Sequence, residues 1–185
     1  MKYKNKIELA DDDTESDLTL LRLRAPSLFV GLILGIGISF LTSRFEQVLT
    51  QNVQVAFFLP FIVYMADAIG TQTQSIYTRD LKSGKAKFLT YLGKETVLGI
   101  IFGLVFGFIS AAVVWLWFQN TGLALSVGLS MLIATTMAPV IALLITEALQ
   151  LERTDPAAGA GPIATVVQDA LSVVVYGLIC SAILL

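Results

Sequence analysis

The sequence predicts an all-α fold, a polytopic membrane bundle of five transmembrane helices with its N-terminus inside and its C-terminus outside. Three observations predict it. Of 185 residues, 56% are hydrophobic and only 14% charged, whereas soluble domains carry about a quarter charged residues. The charges are also clustered, and none falls between Thr96 and Thr146. A crossing takes roughly 20 apolar residues for about 30 Å of hydrocarbon, so that run holds two crossings and a turn. The basic residues, finally, are unevenly shared among the segments between apolar runs, as a fixed topology requires.

Two regions follow. Residues 1–25 form a polar cytoplasmic tail with Asp11, Asp12, Asp13 and Glu15 at its middle and room for a short amphipathic helix at Leu18–Leu23. Residues 26–185 form the five-helix domain. Pro26 is expected to open the first span, Pro26–Ser43, because proline suits a helix's first turn. The second span covers Val53–Thr78. A 17-residue basic loop leads to the third, Thr96–Phe118, which ends in Trp115 and Trp117 where an aromatic belt belongs. Gln119-Asn120-Thr121-Gly122 is a tight polar turn into the fourth span, Leu123–Leu149. The loop Gln150–Gly161 precedes the fifth, Pro162–Leu185.

With the N-terminus inside, eleven of the twelve Lys and Arg are cytoplasmic: Lys2, Lys4, Lys6, Arg22 and Arg24 in the tail, Arg79, Lys82, Lys85, Lys87 and Lys94 in the second-to-third loop, and Arg153. Arg44 alone is outside. The chain is therefore expected to be an integral membrane protein surrounded by lipid.

Composition excludes several functions. No basic patch with interleaved aromatics supports nucleic-acid binding. Histidine is absent, which removes the usual general base and the commonest metal ligand. The single cysteine, Cys180, reads as a small packed hydrophobe. Two intramembrane aspartates raise the question of peptide hydrolysis. But Ala66-Asp67-Ala68 and Gln168-Asp169-Ala170 lack a Gly-x-Gly-Asp setting, and neither Gly-x-Ser-x-Gly nor His-Glu-x-x-His occurs. The chain is not expected to be an enzyme.

Glycines mark where helices meet. Gly99, Gly103 and Gly107, followed by Ala111, share one face of the third span and allow close approach to another helix. Gly31 and Gly35 do the same more weakly in the first.

Asp67 and Asp169 carry the functional reading. An ionisable residue at a helix centre costs about 2.5–3.5 kcal/mol on insertion scales. At about 100° per residue, Asp67 shares a face with Pro60, Tyr64, Gly70, Thr71, Gln74 and Thr78. Asp169 shares one with Thr165, Gln168, Ser172 and Tyr176. Each stripe must face another helix or water. A hydrogen-bonded seam is the plain explanation, an ion or proton path the functional one. Oxygen-only ligands suit hard cations such as Mg²⁺ or Ca²⁺. Pro60 and Pro139 free backbone carbonyls, which is tolerated where they line a cavity or are covered by protein. Thr135, Pro139 and Thr146 lie near one face of the fourth span and are candidates for the same lining, although Thr146 is better read as a helix-to-helix bond.

The stretch Phe58-Leu59-Pro60, Met65-Ala66-Asp67-Ala68-Ile69-Gly70-Thr71-Gln72 and Arg79 resembles the second helix of the MgtE family of magnesium channels. That helix carries Pro, then Gly-Gly-Asn-x-Gly-x-Gln, then Arg. Asp155-Pro156-Ala157, Pro162-Ile163-Ala164-Thr165, Asp169 and Tyr176 are similar to the family's fifth-helix pattern, and Lys94-Glu95 leads into the glycine-rich third span as it does there. The resemblance covers residues 22–185. It implies a homodimer in a prokaryotic inner membrane, moving a divalent cation, Mg²⁺ foremost, along a path at the subunit interface lined by the second and fifth helices. Asp169 matches the ion-binding aspartate, with the carbonyl of Thr165 as a further contact and Asp67, Thr71 and Gln72 as candidate metal residues. Asp67 and Ala68 stand where the family has Gly and Asn. A 25-residue tail is too short for the family's cytosolic sensor domains, so a separate regulatory protein is a candidate partner. The alternatives are a non-conducting membrane subunit that assembles with or regulates a partner, and a transporter of another ion with Asp67 as a proton site.

Overall fold

The structure is a computed structural model that describes residues 13–151 and 156–185. Lys2, Lys4, Lys6, Asp11 and Asp12 of the tail lie outside it, as do Glu152, Arg153 and Asp155, so the basic and Asp-Pro-Ala features placed there stand as sequence readings. Among the described residues the secondary structure is helical: α1 (Asp17–Ser43), α2 (Glu46–Gln51), α3 (Val53–Lys82), α4 (Phe88–Phe118), α5 (Thr121–Leu151) and α6 (Pro156–Leu184). All but α2 are long and apolar enough to cross a membrane.

The helices overrun the predicted spans, each for a local reason. Pro26 does not open α1 but lies inside it. The helix starts nine residues earlier, where Ser16 accepts from the backbone N–H of Thr19 (3.3 Å), a side-chain cap for an otherwise orphaned donor. The Leu18–Leu23 segment and the first span are thus one helix. The 17-residue loop shrinks to residues 83–87, because α3 continues to Lys82 and α4 begins at Phe88. A Schellman turn ends α3: Gly84 at φ +70 lets its own N–H reach the Leu81 carbonyl (3.0 Å) and that of Lys85 reach Asp80 (3.0 Å), the left-handed position glycine takes without strain. Gln119 takes the same conformation (φ 51) at the end of α4. Asn120 then caps α5 by accepting from the Leu123 N–H (3.0 Å), so Thr121 and Gly122 belong to the helix rather than the turn. Pro162 lies inside α6, which starts at Pro156. The six-residue α2 was not predicted; it is too short for periodicity to reveal.

α5 is the central helix, packed against α3, α4 and α6, while α1 packs on α6. Small residues set the α4–α5 distance. A Cβ on Gly103 would come 2.7 Å from the Leu132 carbonyl oxygen, and one on Gly107 2.7 Å from that of Gly128. Gly99 lies against Thr136 and Pro139, and Ala111 fills the notch at Gly128. Thr136 donates to the Gly99 carbonyl across the same interface (3.3 Å). The weaker pair expected in α1 does not act this way: Gly31 is in ordinary contact with Pro162, and Gly35 meets nothing within 4 Å.

The apolar core gathers at the α2 end of the bundle, around Phe58, Ile62, Met131 and Tyr176. Cys180 is fully buried in it. The opposite end is tied by polar side chains. On the outside, apolar residues such as Leu32, Phe108 and Trp117 are more than half exposed, as a surface in contact with lipid tails and interfaces requires.

Two α4 glycines make a paired test. Gly93 has open space around its Cβ position, so Gly93→Ala stabilises by up to about 1 kcal/mol through helix propensity. Gly103→Ala forces α5 away and destabilises by about 1–3 kcal/mol, the cost of overpacking. Thermal unfolding of the purified variants in detergent checks the opposite signs.

Candidate functional site

The two aspartates sit at the same depth. Asp67 is residue 15 of the 30 in α3 and Asp169 residue 14 of the 29 in α6. Both are thus mid-helix, where membrane transport folds place their ion sites. α3 and α6 pack against each other, and the two polar stripes meet. Thr165 donates from Oγ1 to Asp67 Oδ1 (2.9 Å). Asp169, one turn further along α6, is close enough to Asp67 for the two carboxyl groups to interact electrostatically. The structure therefore brings Asp67 together with Thr165, 98 residues away in sequence, and with Asp169.

Burial explains which atoms are available. Asp67 lies at the boundary between the packed face of α3, formed by Ala66, Ile69, Gly70, Thr73 and Tyr77, and its exposed face. Asp169 is half-buried, and its Oδ1 is fully buried without a hydrogen-bond partner. Next to it, Gln168 is 2% exposed with both amide atoms unpaired. An unsatisfied buried polar group costs about 1–3 kcal/mol, and this seam holds three of the five such side-chain atoms among the described residues, the others being Thr78 Oγ1 and Ser130 Oγ.

The remaining predicted residues divide. Thr71 is exposed and one turn from Asp67, on the open side of α3. Gln72 is exposed too, but it lies about 140° around the helix from Asp67, so one chain does not bring it to the carboxylates. Tyr64 and Ser75 share this exposed, partly polar face. In the fourth span Thr135 and Pro139 do not form the expected lining, and Thr146 does not make the expected helix-to-helix bond. Thr135 and Thr146 are fully buried and donate to carbonyls of their own helix, Met131 and Ala142 (both 2.7 Å), a local bond that satisfies a hydroxyl without a second helix. Pro139 packs against Gly99 of α4. Pro60 deprives the Ala56 carbonyl of its usual donor. One residue earlier, Tyr176 Oη donates to the Val55 carbonyl (2.8 Å), which fixes α6 on the first turn of α3.

The sequence assigns no site role to two further acids, Glu95 and Glu147. Thr73 donates to Glu95 Oε2 (2.7 Å) and Tyr77 to Glu147 Oε2 (2.6 Å). Tyr91, its ring tilted 59° against that of Tyr77 at 4.9 Å between centroids, donates to Asp80, which also pairs with Arg79 (3.0 Å). These hydroxyl–carboxylate bonds hold the C-terminal half of α3 to α4 and α5. The signal was present for Glu147, an ionisable residue inside the predicted span Leu123–Leu149. Among the described residues no three acidic, Cys or His side chains converge as a ready-made metal cluster. A cation at Asp67 and Asp169 would therefore be held by two carboxylates, with hydroxyl, amide and carbonyl oxygens nearby.

The Tyr77–Glu147 bond is testable alone. Tyr77→Phe destabilises by about 1–3 kcal/mol, because a half-buried carboxylate loses its donor. In a cycle with Glu147→Gln, unfolding energies are non-additive by about 0.5–3 kcal/mol; additive values would show that the bond does not hold α3 to α5.

Comparison with known proteins identifies relatives. A family model described as MgtE, divalent cation transporter, matches residues 59–179, a stretch that contains α3 from Leu59, α4, α5 and nearly all of α6. The chain is 30% identical over 169 residues to a protein named magnesium transporter MgtE from Enterococcus faecalis, covering 90% of this chain and 37% of that one. It is 31% identical over 152 residues to the protein of the same name from Bacillus subtilis, covering 80% and 33%. The chain spans about a third of the length of these relatives. With the family model matched over well more than half of its length and a five-span helical bundle in the structure, this chain is an integral membrane protein that belongs to the MgtE family of divalent cation transporters.

Proposed function

We propose that the chain moves a divalent cation, Mg²⁺ foremost, along the α3–α6 seam, with two copies of the chain facing each other across the path. The observation that carries this is the Thr165–Asp67 bond beside Asp169 at mid-helix. Two carboxylates within electrostatic reach of each other repel when both are charged, and a divalent cation between them relieves that repulsion. Mg²⁺ binds through one or two carboxylates and keeps several waters, which is what a site with two acids and few other fixed ligands offers. Both relatives are named magnesium transporters, and this supports the choice of ion.

A second copy is supported by the open face of α3. Tyr64, Thr71, Gln72 and Ser75 are exposed on one chain, and polar groups are not left facing lipid. A partner across this face covers them, places Thr71 beside the path, and brings Gln72 within reach of the other chain. The eleven-to-one distribution of basic residues supports a cytoplasmic N-terminus in a bacterial plasma membrane.

Purified protein in liposomes tests the proposal. Wild type carries Mg²⁺ down its gradient. Asp169→Ala abolishes flux, and Thr165→Val, which removes the donor to Asp67, lowers it by about 10–100-fold, the usual cost of losing a ligand's supporting bond. Unchanged flux in Asp169→Ala contradicts the assignment. If wild type carries no divalent cation and a partner protein co-purifies, the chain is a non-conducting subunit. Flux that requires a pH gradient and disappears in Asp67→Asn reassigns it to proton-coupled transport.

A further inference from the structure

Gln168 stands between Thr165 and Ser172 on the seam, and carboxylate chemistry alone leaves it without a role. Its side chain is 98% buried, and neither amide atom is hydrogen-bonded. It lies against Gly70 so closely that a Cβ there would come 1.7 Å from Oε1, 2.6 Å from the amide carbon and 2.9 Å from Nε2. Gly70 is itself in the interior of α3, where glycine is less favourable than alanine. The atoms in the way are all at the end of the Gln168 side chain, so the amide occupies the slot that Gly70 leaves, and it does so with no partner. A leucine or methionine in the same slot would carry neither an orphaned donor nor an orphaned acceptor. Polar residues between membrane helices ordinarily bond across the interface, and Thr165 does so while Gln168 does not.

The balance of donors and acceptors indicates the ligand. The unpaired atoms at this part of the seam are two acceptors, Gln168 Oε1 and Asp169 Oδ1, and one donor, Gln168 Nε2. The donor can serve a neighbouring carboxylate. That leaves a surplus of acceptors. A divalent cation that retains its waters presents O–H donors in every direction, and Mg²⁺ gives up its waters reluctantly where Ca²⁺ more readily exchanges them for protein oxygens. We infer that Gln168, seated in the notch left by Gly70, is a selectivity-determining residue whose amide oxygen accepts from the water shell of a hydrated divalent cation lying at Asp67 and Asp169. The inference rests on the proposed cation path and adds to it the residue that distinguishes a water-keeping ion from one that sheds its shell.

The test uses the full chain in liposomes, with Mg²⁺ flux, competition by Ca²⁺, and block by hexaamminecobalt(III), an inert cation whose outward N–H groups mimic a hydrated ion and cannot be lost. Gln168→Met keeps the length and removes the hydrogen bonds. It raises the thermal midpoint or leaves it unchanged, while the half-blocking concentration of hexaamminecobalt(III) rises about tenfold, as for loss of an outer-shell partner, and the preference for Mg²⁺ over Ca²⁺ falls. Gln168→Glu keeps the shape, adds charge and strengthens the block. Gly70→Ala takes the slot, pushes the Gln168 amide aside and shifts block and preference in the same direction as Gln168→Met. Adding Gln168→Ala to it shifts neither further. If neither Gln168→Met nor Gln168→Glu moves block or preference, Gln168 only packs and the inference is overturned. A wild type with no divalent flux removes the cation path itself, a different result that takes the inference with it.

Discussion

A hydrocarbon interior offers no hydrogen bonds, and the placement of polar side chains in this bundle follows from that constraint. Three solutions recur. Hydroxyls are spent on the helix that carries them, as Thr42 on Ile38, Ser126 on Gly122 and Ser172 on Gln168. Carboxylates receive hydroxyls from neighbouring helices, as Glu95 from Thr73, Glu147 from Tyr77 and Asp67 from Thr165. A tyrosine hydroxyl is spent on a backbone carbonyl of the neighbouring helix, as Tyr176 on Val55. The seam at Gln168 and Asp169 departs from all three with three unpaired buried atoms, against one each at Thr78 and Ser130, and it lies at the depth at which a transport site belongs.

The rest of the architecture serves to hold that seam. α5 is clamped to α4 by the glycine ladder and to α3 by the Tyr77–Glu147 bond. α3 is thus fixed against a two-helix scaffold along its packed face, with Asp67 on the margin between scaffold and open surface. α6 closes on α3 through Thr165 on one side of the aspartates and Tyr176 on the other. α1, attached to α6, adds apolar surface rather than chemistry. Strong packing on one flank and sparse polar contacts on the other are what a helix pair needs if one border of it is to admit an ion.

Much of this was legible in the residues. Hydropathy located all five spans, because a run such as Thr96–Phe118 has no soluble alternative. Spacing located the α4 glycine face, because small residues every fourth position stay on one side of a helix. Helix ends were not legible: Asp17–Arg24 and Phe88–Lys94 are polar enough to lie outside the hydrocarbon, yet remain helical, and Pro26 and Pro162 are tolerated inside. The stripes of Asp67 and Asp169 could be drawn on each helix, but periodicity around one axis does not say which helix faces which. Hence the Thr165–Asp67 bond needed the structure, as did the notch that joins Gly70 to Gln168. The resemblance in α3 and α6 pointed to the same two helices through their Pro, Gly and Asp positions, and the family match confirms the membership those motifs implied.

Whether a divalent cation rests at Asp67 and Asp169 on the α3–α6 seam is decided by anomalous scattering from Mn²⁺, which stands in for Mg²⁺, in crystals of the assembled protein. A metal peak is expected at mid-membrane depth, next to Asp169 and beside Thr165, and is lost in Asp169→Ala. A seam without metal, with Mn²⁺ bound elsewhere in the bundle, would contradict that placement.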